Sequence, residues 1–293
     1  MEFNAFCAEC LLTKRLNDYP AGADPALVAE YQRRVRAIVS GDPKETSPEK
    51  DYLIYVAHDA VFGQRQDFGP IKRHFNALML QLEPMMIEGV RAASDPLRRA
   101  IQYAMTGNFI DFAVLDGVDE AALRRMIDES ADFPVDDRLL DAFRAEIMRA
   151  KRLTYIVDNC GEIVMDKVLV RVMGEMDPGL EITAVVKGGP IVNDATREDA
   201  AQVGLDALAK IVDTGCPIAG VPERRVSDAC RDALEGADVL VSKGQANYET
   251  LCGCGLDLFY IFMCKCRLFM DRFHVPQFSG LIVRERQEAA PCP

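Results

Sequence analysis

Two aspartates and an amide follow consecutive apolar, β-rich runs: Asp158 ends "LTYIVD", Asn159 comes next, and Asp194 lies on the connection after "LEITAVVK". Oxygen donors of this kind suit a hard divalent cation such as Mg²⁺ or Mn²⁺, and no histidine lies in the stretch. Affinity order alone leaves Co²⁺ and Ni²⁺ open as well. Lys187, Lys243 and Lys265 close neighbouring runs, with Gln245 just past the second, and would set positive charge against an anion. Helix starts after Gly161 and Asn193 would add N–H donors. Together, a cation, lysines and N–H donors hold a phosphoryl group and neutralise its charge during transfer. Each residue also has a plain structural use, since acids cap helices and lysines lie along apolar surface with the ammonium in water. Recurrence of acids, amides and lysines at several run ends in succession favours a site over isolated turns.

The elements that must position these groups divide the chain in two. Residues 1–137 read as a succession of amphipathic helices, including "PALVAEYQRRVRAIVSG", "PIKRHFNALMLQLEPMMIEGV" and "VDEAALRRMIDES", broken at Pro, Gly and Asp. Residues 138–293 begin with one more helix, "VDDRLLDAFRAEIMRAK". Six short β-rich runs, among them "DVLVSKG", "LFYIFMCK" and "SGLIVRE", then alternate with helical segments. That alternation predicts an α/β domain with a Rossmann-like, mostly parallel sheet covered by helices on both faces, carrying an all-helical N-terminal region. Ligands of such sheets bind beyond the carboxyl ends of the strands, where the acids and lysines above fall. No repeat, low-complexity tract or linker separates the halves, so they are expected to pack as one body.

Bulk properties narrow the partners. The 293 residues are 49% apolar, ample for a core, and 34 Lys and Arg against 46 Asp and Glu give a net charge of −12. Such a charge repels a nucleic-acid backbone unless a local basic patch compensates, and the Arg-rich "YQRRVRAIV" reads instead as the solvated face of a helix. "MEFNAFCAECLLTKRL" lacks the basic and apolar segments of a secretion signal, and no apolar run approaches the ~20 residues that span a bilayer. A cytoplasmic protein with no membrane partner is expected, and its ten cysteines are expected to stay as thiols, with metal ligation open to some of them. Nothing in the sequence sets the oligomeric state.

Absent motifs count too. No Gly-x-x-x-x-Gly-Lys-Ser/Thr loop and no G-x-G-x-x-G follows a strand, which removes support for nucleotide triphosphatases and dinucleotide-dependent enzymes. An Asp-x-Asp nucleophile pair is also missing, because Cys160 stands where the second aspartate belongs. "VDNCGE" is similar to the S-adenosylmethionine corner of methyltransferases, although the G-x-G is not there. A methyltransferase and a non-catalytic metal- or anion-binding protein are therefore the competing readings.

In order, "VDNCGE", "VVKGGPIVNDAT" with Asp199 following, "SKGQANYETL" and "KC" resemble the damage-control phosphatases, once grouped as domain of unknown function eighty-nine. "CAEC" (Cys7 to Cys10) and "GNFIDF" (Gly107 to Phe112) are similar to the smaller, prokaryotic-type branch of that family. The resemblance covers essentially the whole chain. It implies a metal-dependent phosphatase acting on phosphate monoesters of small, possibly damaged, phosphometabolites through water activated by the metal. By position, it implies that Asp158, Asn159 and Asp194 hold the metal, that Lys243 and Lys265 bind phosphate, and that Asn247 and Tyr248 face the substrate, with Lys187 and Gln245 on the same edge. "FMCK" (Phe262 to Lys265) departs from the Arg-Thr-x-Lys of members that act on sugar phosphates, so a sugar phosphate is not implied.

Glu162 is the nearest candidate general base and equally a helix-start cap. Asn108 and Asp111 would reach the cleft from the helical region or fix that region onto the sheet, and Asn193 belongs to the same rim. Cys7, Cys10 and Cys266 share the resemblance without a defined role; a second C-x-x-C that would complete a zinc site is missing. His58, His74 and His274 lie far apart in apolar or helical surroundings and read as structural.

Overall fold

The computed structural model describes residues 1–63, 67–107 and 120–286. Seven helices precede the first strand: α1 (Ala5–Arg15), α2 (Pro25–Val39), α3 (Ser47–Phe62), α4 (Gly69–Ala92), α5 (Pro96–Gly107), α6 (Glu120–Glu129) and α7 (Asp137–Ile147). Then come β1 (Arg152–Ile156), α8 (Glu162–Met176), β2 (Glu181–Val186), α9 (Arg197–Val203), β3 (Lys210–Asp213) and α10 (Asp228–Glu235). The chain closes with β4 (Val239–Lys243), α11 (Gln245–Leu251), β5 (Leu258–Met263), α12 (Arg267–Phe273) and β6 (Gly280–Glu285).

Local chemistry explains most boundaries. Asp24 caps α2 with Pro25 in its first turn, and Asp136 caps α7 by accepting from the Leu139 N–H at 2.9 Å. Thr46 and Glu49 form a capping box on α3, while Gly63, left-handed at φ 65°, ends it. At the amino terminus stands α1, a helix that the sequence patterns did not single out within the helical region. Asn4 accepts from the Cys7 N–H at 3.0 Å, and Cys7 and Leu11, one turn apart, are its buried face.

The sheet runs β3-β2-β1-β4-β5-β6, with the first five strands parallel and β6 antiparallel to β5. Side chains alternate between its faces as the pleat requires. Leu153, Tyr155, Val241, Phe259 and Ile261 join one core with α4, α5, α7 and α8. Ile156, Leu240, Leu258, Tyr260 and Phe262 join the other with α10, α11 and α12. Helices therefore cover both faces, and the helical region supplies much of one layer: Phe143 of α7 packs 4.7 Å from Phe259 of β5, centroid to centroid. A third, smaller cluster of Leu11, Tyr31, Val35, Val39 and Ile54 holds α1, α2 and α3 together. No helix of the described residues is long and apolar enough to cross a membrane.

The strand order has one consequence for function. From β1 the chain steps outward through β2 to β3, then returns to lay β4 on the other side of β1. Connections leaving β1 and β4 diverge at this switch point and open a crevice beyond their carboxyl ends.

Candidate functional site

Two backbone hydrogen bonds shape the crevice. The Ala195 N–H donates to the Asp158 carbonyl and the Cys160 N–H to the Asn193 carbonyl, both at 2.8 Å, and together they make an isolated antiparallel bridge of Asn159 with Asp194. The connections after β1 and β2 are thus zipped together, and Asp158, Asn159 and Asp194 share one rim. The turn that returns Asp194 to this rim is strained, for Val192 adopts φ 41°, a left-handed conformation that β-branched residues avoid. From β4, Gly244 brings its backbone against Asp158: a Cβ there would lie 1.9 Å from Asp158 Oδ2.

A cavity of about 380 Å³ opens over this rim, lined by Asp158, Asn159, Asp194, Gln245 and Lys265 from the sheet side. Cys7, Cys10, Lys14 and Arg15 of α1 form the opposite wall. Gln245 Oε1 accepts from the Lys265 N–H at 2.6 Å and fixes the turn that carries that lysine. Arg15 is held by Asp51 through two contacts of 2.7 Å, whereas Lys14 is exposed. A larger cavity of about 550 Å³ lies beyond the Gly188–Pro190 loop, but neither Asp158 nor Asp194 lines it, so the chemistry belongs to the smaller one.

Beneath the rim is a buried polar chain. Asn159 Nδ2 donates to Asp158 Oδ2 at 2.8 Å and to Glu162 Oε2 at 3.1 Å. Lys243 Nζ donates to Glu162 Oε1 at 2.5 Å and to Asp166 Oδ1 at 2.8 Å, and the Tyr155 hydroxyl donates to the same Asp166 oxygen at 2.8 Å. Burial, then the Glu162 charge, pushes the Asp158 carboxyl up to about 6 despite Lys187, Lys265 and Lys243 nearby. Burial likewise lifts Asp166 to about 7. For Lys243 burial favours loss of the proton, but the two carboxylates outweigh it, drive its pKa upward and keep it charged.

Several expected roles need correction. Lys243 does not reach the cavity, because its fully buried ammonium is held by Glu162 and Asp166. Lys187, also buried, lies behind Asp194 at 3.9 Å and donates to Asn247 Oδ1 at 2.7 Å. Of the three lysines, Lys265 alone lines the cavity. Asn247 is fully buried and ties strand ends together, donating to the Val157 and Lys243 carbonyls at 3.1 and 2.5 Å, so it does not face substrate. Tyr248 points into the aromatic cluster of Tyr260, Phe262, Phe269 and Phe273. Glu162 has no exposed surface and both its oxygens accept hydrogen bonds, which removes it as a base acting on bound water.

Asn193 is buried on the rim, and its side-chain nitrogen has no hydrogen-bond partner. Asn108 and Asp111 lie outside the described residues. Cys7, Cys10 and Cys266 do border the cavity, as free thiols. Burial pushes Cys7 up to about 11 and raises Cys266, so neither is a ready thiolate. Among the described residues no three His, Cys, Asp or Glu side chains converge as a ligand group. The oxygen donors on the rim are two carboxylates and one amide, a set that would suit a hard ion retaining solvent ligands.

Sequence reasoning missed Asp166, Asn76 and Lys14. Asp166 had a signal: an acid four residues after Glu162, hence on the same helix face, inside the apolar run "EIVMDKVLVRVM". Asn76 gave none, being one polar residue of a long amphipathic helix. Its Oδ1 accepts from the Gly161 N–H at 2.7 Å and its Nδ2 donates to Asp199 Oδ1 at 2.9 Å, which pins the helical layer to the corner after β1.

The fold and this corner define an α/β protein with two carboxylates and an amide gathered at its switch point, and comparison gives the family. The profile of the damage-control phosphatase ARMT1-like domain matches residues 4–280, so the chain belongs to that family. A damage-control phosphatase of Archaeoglobus fulgidus is 30% identical over 278 residues, covering 91% of this chain and 93% of its own. Another, from Pyrococcus horikoshii, is 33% identical over 190 residues, and the match spans 64% of each chain. The crystal structure of a DUF89 family protein from Pyrococcus horikoshii superposes with a TM-score of 0.82 at 25% identity, over 97% of this chain and 99% of that one.

Proposed function

We propose that the chain is a metal-dependent phosphomonoester hydrolase acting on a small phosphorylated metabolite. One observation carries the reading: Asp158, Asn159 and Asp194 meet on one rim of a cavity whose remaining cationic group on that side is Lys265. Family membership and the named activities of its relatives point the same way.

Asp158, Asn159 Oδ1 and Asp194 would hold a divalent cation, of which Mn²⁺, Mg²⁺, Co²⁺ and Ni²⁺ all suit oxygen donors. The donor chemistry fits, because an Asp158 carboxyl lifted to about 6 by burial and by Glu162 is relieved once a cation sits against it. Bound there, such an ion supplies charge neutralisation at the phosphoryl oxygens and acidifies water. Lys265, on a turn whose backbone Gln245 fixes, would meet the non-bridging oxygens and stabilise the charge that develops on them. The wall of α1 would flank the ester, and a volume of about 380 Å³ lies within the range of small-metabolite pockets.

The test is release of inorganic phosphate from p-nitrophenyl phosphate and a panel of phosphometabolites across the four metals, for wild type and Asp158→Ala. Metal-dependent turnover lost in the variant is the expected result. Inactivity with every ester and metal would return the corner to a binding site, and tight metal-independent binding of S-adenosylmethionine would return it to a methyltransferase.

A further inference from the structure

An amide offers a cation its oxygen or its nitrogen with nearly the same shape, and only the oxygen binds. What decides the orientation of Asn159 is therefore part of the site. Asp158 Oδ2 and Glu162 Oε2 both face its Nδ2, at 2.8 and 3.1 Å. Ionised carboxylates only accept, so the nitrogen must face them and the oxygen is turned the other way. Flipped, the amide would set its oxygen against two acceptors in a buried pocket, where an unmatched polar contact is costly.

Glu162 can do this only if it is itself fixed. Its stem is wedged against α5, where a Cβ on Gly107 would come within 2.7 Å of its Cγ. Its other oxygen takes Lys243, which is shared with Asp166, which in turn accepts from Tyr155. Glu162, Asp166, Lys243 and Tyr155 are all fully buried, so water cannot substitute for any link.

We propose that Glu162, Lys243 and Asp166 are positioning residues that lock the Asn159 amide with its oxygen toward the cation. The proposal rests on the cation site proposed above and concerns how that site is pre-set. Lys243 thereby receives a role other than phosphate binding, and Glu162 one other than proton transfer. Partners that orient a ligand in this way are typically worth about 10–100-fold in metal affinity.

The experiment is calorimetric titration of the full chain with Mn²⁺ for wild type, Asp158→Ala, Glu162→Gln and Thr154→Val, each checked for fold by circular dichroism and thermal unfolding. Glutamine at 162 puts an NH₂ donor where one of the two carboxylate oxygens accepts from Lys243 or Asn159, so one of those links is lost and Mn²⁺ affinity falls by about 10–100-fold. Thr154, whose hydroxyl donates to the Ala233 carbonyl at 2.7 Å away from the rim, controls for lost stability alone and keeps wild-type affinity. If Glu162→Gln does not fold, Asp166→Asn replaces it, one link further off, with a loss of about threefold to tenfold. A folded Glu162→Gln protein, or in its place a folded Asp166→Asn protein, that binds Mn²⁺ as wild type does overturns the proposal. Wild-type binding that Asp158→Ala leaves intact, or no binding at all, overturns the cation site itself.

Discussion

Replacing Gly244 by alanine tests how closely β4 is fitted to Asp158. Gly244 sits at φ 81°, ψ 161°, a region that is essentially glycine's alone, and forcing another residue there costs about 2–3 kcal/mol. For a chain of this size that corresponds to a fall of roughly 5–10 °C in melting temperature. Backbone strain is only half of the effect. The added Cβ would lie 1.9 Å from Asp158 Oδ2, a separation real Cβ atoms do not show, so the carboxylate must retreat by about 1 Å. A shift of that size at a reacting centre is worth on the order of a hundredfold in rate. Thermal unfolding, Mn²⁺ titration and phosphate release on one preparation of Gly244→Ala separate the two effects. Wild-type stability together with wild-type metal affinity would refute the close approach and the corner built on it.

Other outcomes follow from the same geometry. Asp158 has a folded pKa raised to about 6, so its charged form destabilises the metal-free fold above that pH and the penalty fades as pH falls through it. Asp158→Asn should therefore raise metal-free stability by up to about 3 kcal/mol at pH 7.5, with the gain shrinking toward pH 5, while metal binding is lost; denaturant melts at both pH values check this. For the wild type, Mn²⁺ affinity should drop below pH 6 by up to about tenfold per unit as protons compete for Asp158, which titration in a pH series reads directly. Lys265→Ala should cut kcat/KM for phosphate esters by about a hundredfold or more and leave the melting temperature nearly unchanged, because the side chain is only half-buried. Asn76→Ala removes the acceptor for the Gly161 N–H and a donor to Asp199 and should cost about 1–3 kcal/mol in a thermal melt.

The sheet was legible because parallel strands buried on both faces read as unbroken apolar runs such as "LFYIFM", and all six runs became strands. The rim was legible for a related reason: Asp158 and Asn159 end one such run and Asp194 lies on the connection after the next, where the topology leaves a crevice. Depth was not legible. Lys243 and Lys265 both close a strand, yet one is drawn under the rim by Glu162 and Asp166, partners on α8 nearly eighty residues earlier, and the other lines the cavity on a turn whose backbone Gln245 fixes. Asn247 and Tyr248 lie on α11, a short helix whose inward faces are set by Lys187 on one side and by an aromatic cluster on the other. No local pattern encodes which neighbour a buried polar group will find. The wall of α1 was missed because eleven residues with two buried positions leave a faint periodicity, although Asn4 in front of them was a cap signal.

On this reading the corner of Asp158, Asn159 and Asp194 holds the cation against which a phosphoryl group is placed. Crystals grown with Mn²⁺ and inorganic phosphate, measured at the manganese edge, are the decisive test. One anomalous peak within coordination distance of all three side chains, with phosphate density between it and Lys265, is the predicted result. A peak at Cys7, Cys10 and Cys266 instead, or phosphate seated in the larger cavity beyond the Gly188–Pro190 loop with no metal at Asp158, would contradict it.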